Sequence, residues 1–344
     1  MNSELAIPTN ESTVVRKARL PDLDRAKGLA ILLVVIGHIV ARNGPKGNSW
    51  YADLQEIIYT FHMPFFMYLS GFVAFRSSLL SREATQTFDI LKKKAKRLIV
   101  PFVLFGVAII LAKHFGSLFL YVDNMQGDLL HSLINIFWDT SRSEAVSIWY
   151  LYVLFVFWLI TAPVVLRDKN HIFFLLAIAI CIYWVALPDR FYLPRGGEFY
   201  VFFLLGGVAA YFEDLYSQAL DRMIFPAVCV FLISLGMFYL HLDRKVQMLI
   251  SGVASIPAIH GLMRSQLVMR MRFLLTLGKY CMSIYLLNTI FIGLTKGVMF
   301  HFFDWDGNRF LVYFVMLGAA GLFLPIFVKR YVFSRVRLLD SITD

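Results

Sequence analysis

The feature that most constrains this chain is the recurrence of long apolar runs between residues 28 and 328. A helix needs about 20 apolar residues to cross a bilayer, and it satisfies its backbone hydrogen bonds internally, as lipid requires. We therefore predict an all-α integral membrane protein with a single bundle of about ten transmembrane helices. The predicted spans cover residues 28–45, 56–75, 98–115, 146–166, 171–187, 199–213, 223–240, 247–263, 273–295 and 309–328.

The composition excludes a soluble globular domain. Only 16% of the residues are charged and the mean hydropathy is +0.67, whereas a soluble domain carries about 25% charged residues. No polar block is large enough to form a separate domain. We predict a cytoplasmic N-terminal tail over residues 1–20, one transmembrane domain over residues 21–330 and a cytoplasmic C-terminal tail over residues 331–344.

The distribution of Lys and Arg predicts the orientation. Of the 33 Lys and Arg residues, 22 fall in alternate segments between the predicted spans, ten fall in the opposite segments and Lys279 lies inside a span. Because cytoplasmic segments carry the excess of positive charge, both termini are predicted to be cytoplasmic. The net charge of +10 is therefore a topological signal, and no nucleic-acid partner is predicted. The basic run 92–97 is expected to attract anionic membrane lipids.

Two ionisable residues stand out in the first predicted span. Lys27 and His38 are eleven residues apart, so on a helix they share one face at a separation of about 16 Å. A cation at the inner mouth can hold an anionic donor, while a neutral imidazole deeper in the membrane deprotonates a hydroxyl. The alternative interpretation is a snorkelling lysine and a histidine that hydrogen-bonds to a neighbouring helix.

Four further residues are candidates for the wall of an acceptor path or pore. His62 lies in the outer half of the second predicted span, near the expected depth of His38. Ser70 could donate a hydrogen bond to an oxyanion or simply permit close helix packing. Trp149 and Tyr150 could line the path or act as interfacial anchors. No metal-binding cluster is evident, so no metal is predicted.

Several motifs together carry a resemblance to a known family. Lys27 and His38 are followed by the runs Phe61–Phe66 and Leu69–Gly71, by the basic run Lys94–Arg97 before Pro101, and by Trp149–Leu151 and Leu277–Leu287. This pattern resembles the membrane acyltransferase 3 family of multi-pass O-acyltransferases. The chain departs from the family pattern in having Lys at 27 and 94, where Arg is common, and Asn288, where His is often found.

The resemblance implies an activity and a set of roles. It implies transfer of an acyl group, most often from acetyl-CoA in the cytoplasm, to a hydroxyl of a glycan or lipid-linked sugar at the outer face of a bacterial cytoplasmic membrane. His38 and Lys27 would be the catalytic pair, with His38 as the general base, and Lys27, Lys94 and Arg97 would bind the phosphates of coenzyme A. The acyl-CoA is then a donor substrate, and no permanently bound cofactor is expected. A homo-oligomer is compatible with the sequence.

Two alternatives remain open at the level of sequence. A transporter or flippase of a sugar-linked lipid would use His38 and His62 as a proton relay and would need no acyl-CoA. Within the enzyme hypothesis, the residues do not separate direct attack on the thioester from a route through an acyl-His38 intermediate.

Overall fold

The computed structural model describes residues 20–40, 44–80, 84–118 and 128–343. The predicted N-terminal tail, apart from Leu20, lies outside these ranges. All regular structure in them is helical and comprises fifteen α-helices joined by short 3-10 and π turns. In chain order they are α1 Pro21–His38, α2 Ser49–Ala74, α3 Thr87–Gly116, α4 Leu129–Asn135, α5 Trp149–Val165, α6 His171–Tyr183, α7 Leu193–Tyr211, α8 Glu213–Arg222, α9 Ile224–Gly236, α10 Arg244–Arg264, α11 Gln266–Met269, α12 Arg272–Lys279, α13 Cys281–Met299, α14 Phe310–Tyr331 and α15 Arg337–Ile342.

Fewer helices than predicted are long and apolar enough to cross a membrane. Within the described residues six qualify, namely α2, α3, α5, α10, α13 and α14, and a seventh is obtained if α7 and α8, which meet at a bend of 97°, count as one span. The helices α6 and α9 are apolar but have only 13 residues each, or about 20 Å of helix. The chain is thus a multi-pass helical membrane protein, and the count of ten spans is not confirmed.

The first helix differs from its predicted span at both ends. It begins at Pro21, a residue suited to the first helical position, and the acidic Asp22 and Asp24 in its first turn favour a helix N-terminus. It ends at His38 instead of continuing to residue 45. Four of its first seven residues are charged, which is why composition alone does not mark α1 as a span.

A second difference concerns the predicted span over residues 273–295. The helix α12 ends at Lys279 and α13 begins at Cys281, with a break at Tyr280, whose φ and ψ are −99° and 15°. Residues 273–278 and the start of α13 are both mostly apolar, which is why they look like one span in the sequence. The break matters because it lets α12 pack along α1 while α13 rises beside it.

Glycines allow two pairs of helices to pack backbone to backbone. A Cβ atom on Gly71 of α2 would overlap with the carbonyl oxygen of Phe203 in α7, and one on Gly206 of α7 would overlap with the carbonyl oxygen of Tyr68. Small residues at such crossings are typical of membrane helices, which associate largely through close packing. The corresponding pair between α1 and α12 is Gly28 and Gly278.

Burial separates a central helix from peripheral ones. In its most apolar window α2 is 78% buried within the protein, whereas α3 and α14 are 39% and 33% buried. The exposed side chains of α14 include Leu311, Val315 and Phe327. An apolar face of this kind fits contact with lipid tails. The central position of α2 places its histidine, His62, inside the bundle.

The predicted C-terminal tail contains an ordered element. The short helix α15 packs against the bundle, and Ile342 is 1% exposed. The Lys329 ammonium donates hydrogen bonds to the carboxylate of Asp340 at 2.9 Å and to the hydroxyl of Thr343 at 3.1 Å. Ser283 at the start of α13 also contacts this segment, through the carbonyl oxygen of Thr343 at 3.3 Å.

Candidate active site

His38 is positioned by the second helix. Because α1 ends inside the protein, its last carbonyl groups need partners other than water. The Tyr51 hydroxyl donates to the carbonyl oxygen of Ile36 at 2.7 Å, and the Tyr59 hydroxyl donates to that of Gly37 at 2.7 Å. Both tyrosines belong to α2. The backbone at His38 is therefore held by side chains of the neighbouring helix.

The imidazole of His38 is oriented by Asn288 of α13. The His38 Nδ1 and Asn288 Oδ1 atoms are 3.0 Å apart. The Asn288 amide nitrogen donates to the carbonyl oxygens of Ile284 and Tyr285, both at 2.8 Å, so its oxygen must face His38 as an acceptor. It follows that Nδ1 of His38 carries the proton and Nε2 presents a lone pair. Among the described residues, no group hydrogen-bonds to this Nε2 atom.

A cavity of about 560 Å³ lies beside His38. Its volume is within the range of small-molecule sites in proteins. The wall combines apolar groups with aromatic and basic side chains from several helices. Besides His38, its lining includes His62, Trp149, Arg195, Tyr285 and Thr289. A hydroxyl compound in this cavity could reach the open nitrogen of His38.

His62 is the second histidine of the cavity. It is buried, and its Nδ1 lies 2.7 Å from the carbonyl oxygen of Ile58, one turn earlier in α2. A carbonyl oxygen only accepts, so this contact places the proton on Nδ1 and leaves Nε2 as an acceptor. The ring of Tyr59 packs against the imidazole with the ring centroids 5.2 Å apart. His38 and His62 thus have the same tautomer and border the same space.

The other predicted lining residues divide into two groups. Trp149 lines the cavity, and the Arg195 guanidinium lies over its ring at 4.7 Å from the centroid. Ser70 and Tyr150 instead form a short hydrogen bond to each other and do not belong to the lining. The backbone N–H of Tyr150 donates to the hydroxyl of Tyr285 at 3.1 Å. Because Tyr285 also lines the cavity, the Ser70–Tyr150 pair lies directly behind its wall.

The predicted donor-binding cations do not line this cavity. Lys27 Nζ lies 3.8 Å from Asp24 Oδ1 in the first turn of α1, and we call this end of the bundle the Lys27 end. Lys94 Nζ lies 4.1 Å from the centre of the Trp158 ring. Arg97, one turn later on α3, is exposed. The basic residues and the cavity are therefore separate features of the fold.

Asp189, an exposed carboxylate outside the spans, holds one part of the cavity rim through hydrogen bonds to the loop that contains Ser141. Asp189 accepts hydrogen bonds from the Thr140 hydroxyl at 2.7 Å and from the Ser141 backbone N–H at 3.0 Å. Partial burial alone would raise the pKa of Asp189, but these hydrogen bonds and the charge of Arg195 hold it below its ordinary value. This contact links the loop before α5 to the loop before α7.

Comparison with known proteins identifies the family. A family model described as an acyltransferase domain, acyltransferase 3, matches residues 20–330. The chain belongs to the acyltransferase 3 family. The match covers every helix from α1 to α13 and most of α14. Both the His38 cavity and the basic residues of the Lys27 end lie within the matched acyltransferase 3 region.

Two relatives of this acyltransferase 3 chain are nodulation proteins. The nodulation protein NolL of Sinorhizobium fredii is 30% identical over 142 residues, which are 40% of this chain and 34% of that protein. The nodulation protein NolL of Mesorhizobium japonicum is 26% identical over 161 residues, which are 46% of this chain and 39% of that protein. The chain therefore spans well under half the length of these relatives. No solved structure matches it.

Three residues of this acyltransferase 3 site were not assigned roles from the sequence. Asn288 was noted only as a departure from the family pattern, and Arg195 is one of the ten Lys and Arg residues counted in the segments opposite to the positively charged ones. Tyr285 lay unremarked within a family-like run. The sequence offers no specific signal for Arg195, because it lies between two predicted spans and the rule for ionisable residues applies to those inside a span. No group of three or more His, Cys, Asp or Glu in the described ranges could hold a metal ion.

Proposed function

We propose that the protein is a membrane O-acyltransferase that moves an acyl group, acetyl by preference, from acyl-CoA to a hydroxyl of a glycan or lipid-linked sugar. The observation that carries this proposal is the hydrogen bonding of His38. Its Nδ1 donates to Asn288, its Nε2 has no hydrogen-bond partner among the described residues, and the residue lines a cavity. An oriented imidazole with a free lone pair suits a general base. Membership of the acyltransferase 3 family supports an acyl group as the transferred unit.

The chemistry follows from this arrangement. The acceptor hydroxyl donates its proton to Nε2 of His38, and its oxygen attacks the carbonyl carbon of the thioester. The new C–O bond forms as the C–S bond breaks. The proton on His38 then passes to the departing thiolate, so coenzyme A leaves as the thiol and the histidine returns to its initial state. A two-step route through an acyl-His38 intermediate would give the same products.

The Lys27 end is the proposed site of the donor. Lys27, Lys94 and Arg97 supply cations for the phosphates of coenzyme A through charge-assisted hydrogen bonds. The distance along α1 from Lys27 to His38 is about 16 Å, which the extended pantetheine arm would bridge. The excess of Lys and Arg at this end supports a cytoplasmic location for it, and hence entry of the acceptor from the opposite face of a bacterial cytoplasmic membrane.

His62 is proposed to orient the acceptor. Its Nδ1 is tied to the carbonyl oxygen of Ile58, so Nε2 accepts a hydrogen bond from a second hydroxyl of the sugar. Two nitrogen acceptors on one cavity wall match the repeated hydroxyls of a glycan. This arrangement would place the reacting hydroxyl at His38 and a neighbouring one at His62.

The first test follows radiolabel from acetyl-CoA into glycan or lipid-linked sugar. Membranes would carry the wild type, His38→Ala or His171→Ala at equal abundance, because His171 is an exposed histidine at the start of α6. We expect transfer by the wild type and His171→Ala and a loss of roughly 10²–10⁴-fold in His38→Ala. Unchanged transfer in His38→Ala would exclude the proposed base.

The second test concerns the donor and the carrier alternative. Acetyl-CoA should stabilise the purified protein against heat, and Arg97→Ala should weaken this effect, whereas Arg335→Ala, at another exposed arginine of the chain, should not. A carrier that uses His38 and His62 as a proton relay would move a sugar-linked lipid without acylating it. Substrate movement in the absence of acyl-CoA, with no label transferred when it is present, would favour that carrier.

A further inference from the structure

Arg195 has an unusual environment for a cation in the wall of a cavity. It lies in the first turn of α7, with its guanidinium 4.7 Å from the centre of the Trp149 ring. Stacking on a ring occupies the face of a guanidinium and leaves the five N–H donors on its edge. No carbonyl, carboxylate or hydroxyl group in the described part of the chain accepts a hydrogen bond from these donors. The planar edge of Arg195 is thus available to a ligand.

The described lining of the cavity carries an excess of positive charge. The one acid among these described residues, Glu144, already accepts hydrogen bonds from Ser132 at 2.9 Å and, through its backbone oxygen, from Lys113 at 3.1 Å. Glu198, near the start of α7, is 3.6 Å from Arg244. None of these carboxylates is within ion-pairing distance of Arg195. The cations of the lining are Lys113, Arg195, Arg244 and Lys296.

We propose that Arg195 binds an oxyanion group of the acceptor, a carboxylate or a phosphate, while the hydroxyl to be acylated lies at His38. This inference rests on the proposed function and specifies its acceptor as an anionic sugar compound. The guanidinium edge matches the two oxygens of either group in a bidentate manner. The oxyanion could come from a sugar acid or from the diphosphate of a lipid carrier, and the experiment below separates these two sources.

Binding would be measured with purified full-length protein and matched probe pairs, in the absence of acyl-CoA. The first pair is p-nitrophenyl β-glucuronide and p-nitrophenyl β-glucoside, which differ in a carboxylate. The second pair is farnesyl diphosphate and farnesol. We expect the anionic member of at least one pair to bind about 10- to 100-fold more tightly than its neutral partner. The pair that shows the preference identifies the source of the oxyanion.

The variant series uses a second stacked arginine as its control. Arg195→Gln should abolish the preference and Arg195→Lys should retain part of it, since lysine keeps the charge but not the planar fork. Arg190 lies 4.1 Å from the centre of the Trp138 ring and does not line the cavity. Arg190→Gln should therefore bind both pairs as the wild type does.

Defined outcomes would overturn the inference. They are equal binding within both pairs, no binding of any probe, or an undiminished preference in Arg195→Gln. The kcat of Arg195→Gln would also be measured with labelled acetyl-CoA and each of the two glycosides as acceptor. If kcat falls equally for both glycosides, Arg195 acts on the oxyanion that forms at the thioester carbonyl and not on the acceptor, which would also reject the proposal. Failure of acetyl-CoA to stabilise the wild type would reject the proposed function separately, because the probe preference is measured without the donor.

Discussion

His38 Nδ1 and Asn288 Oδ1 lie 3.0 Å apart although 250 residues separate them in the chain. The amide of Asn288 is itself fixed by two carbonyl oxygens of the preceding turn of α13. The fixed side chain of Asn288 on α13 therefore restricts the orientation of the His38 ring at the end of α1. This is the positioning that a proton-transfer group requires before the substrate arrives.

The role of Asn288 can be tested by Asn288→Ala. Without the amide oxygen the His38 ring loses its fixed tautomer, so kcat for acyl transfer should fall roughly 10-fold or more, but by less than for removal of the base itself. Initial rates with labelled acetyl-CoA would measure the effect, and KM for the acceptor should change little. Asn308→Ala, at an exposed asparagine, is the control. A wild-type kcat in Asn288→Ala would refute a positioning role.

The backbone contact between α2 and α7 predicts a stability effect. In Gly71→Ala the new methyl group would collide with the carbonyl oxygen of Phe203, and overpacking of this kind costs about 1–3 kcal/mol. Thermal unfolding in detergent should occur at a lower temperature than for the wild type. In Gly236→Ala the methyl group meets nothing within 4 Å, so stability should be equal or slightly higher. Equal destabilisation by both changes would contradict the assigned contact.

A polar cluster around Tyr68, one turn before Gly71 on α2, makes a second stability prediction. The Tyr68 hydroxyl lies 2.8 Å from that of Tyr216 and 2.7 Å from Nδ1 of His260, whose Nε2 is 3.7 Å from Asp22. Tyr68→Phe leaves the buried His260 and the half-buried Tyr216 without this partner and should lower the free energy of unfolding by about 1–2 kcal/mol. Tyr331→Phe, at an exposed tyrosine, should leave it unchanged. Denaturant titration of both variants would decide the matter.

Asp189 predicts a pH-dependent contribution to stability. Its pKa is lower in the folded protein than the ordinary 3.8, so its stabilisation is complete above that value and is lost as the pH falls through the folded-state pKa. Asp189→Asn should therefore unfold at a lower temperature than the wild type at pH 7, and the difference should shrink as the pH falls below 3.8 and through the folded-state pKa. Asp53→Asn, at an exposed aspartate, serves as the control. A difference that persists at low pH would contradict this assignment.

The sequence correctly predicted the features that depend on neighbouring residues in the chain, namely helix formation and the family motifs. Apolar runs specify helices because lipid leaves the backbone no other partner, and the regular structure of the described ranges is indeed helical. The motifs led to the acyltransferase 3 family, which the comparison confirms. The break at Tyr280 was missed because residues 273–278 and the start of α13 are both mostly apolar, and hydropathy does not sense a change in backbone dihedral angles.

The arrangement of the site depends on non-local packing. Spacing on one helix could place Lys27 and His38 on a common face, but no local pattern shows that Asn288 meets His38 across 250 residues. Ser70, Trp149 and Tyr150 were all candidates for the wall of the acceptor path, but of these three only Trp149 borders the cavity. Tyr150 is adjacent to Trp149 on α5 and so points about 100° away from it, and Ser70 of α2 hydrogen-bonds to Tyr150.

The hydrogen bonds from α2 to the end of α1 suggest an order in which the parts of the site form during synthesis and membrane insertion. Tyr51 and Tyr59 hold the end of α1, and they are synthesised immediately after it. Since membrane chains are made from the N-terminus onwards, we expect the first helical hairpin to place the backbone of His38 early in synthesis. The His38 imidazole would gain its fixed tautomer only after α13, which carries Asn288, has been synthesised and inserted. During most of membrane insertion the histidine therefore lacks the hydrogen bond that orients it for proton transfer.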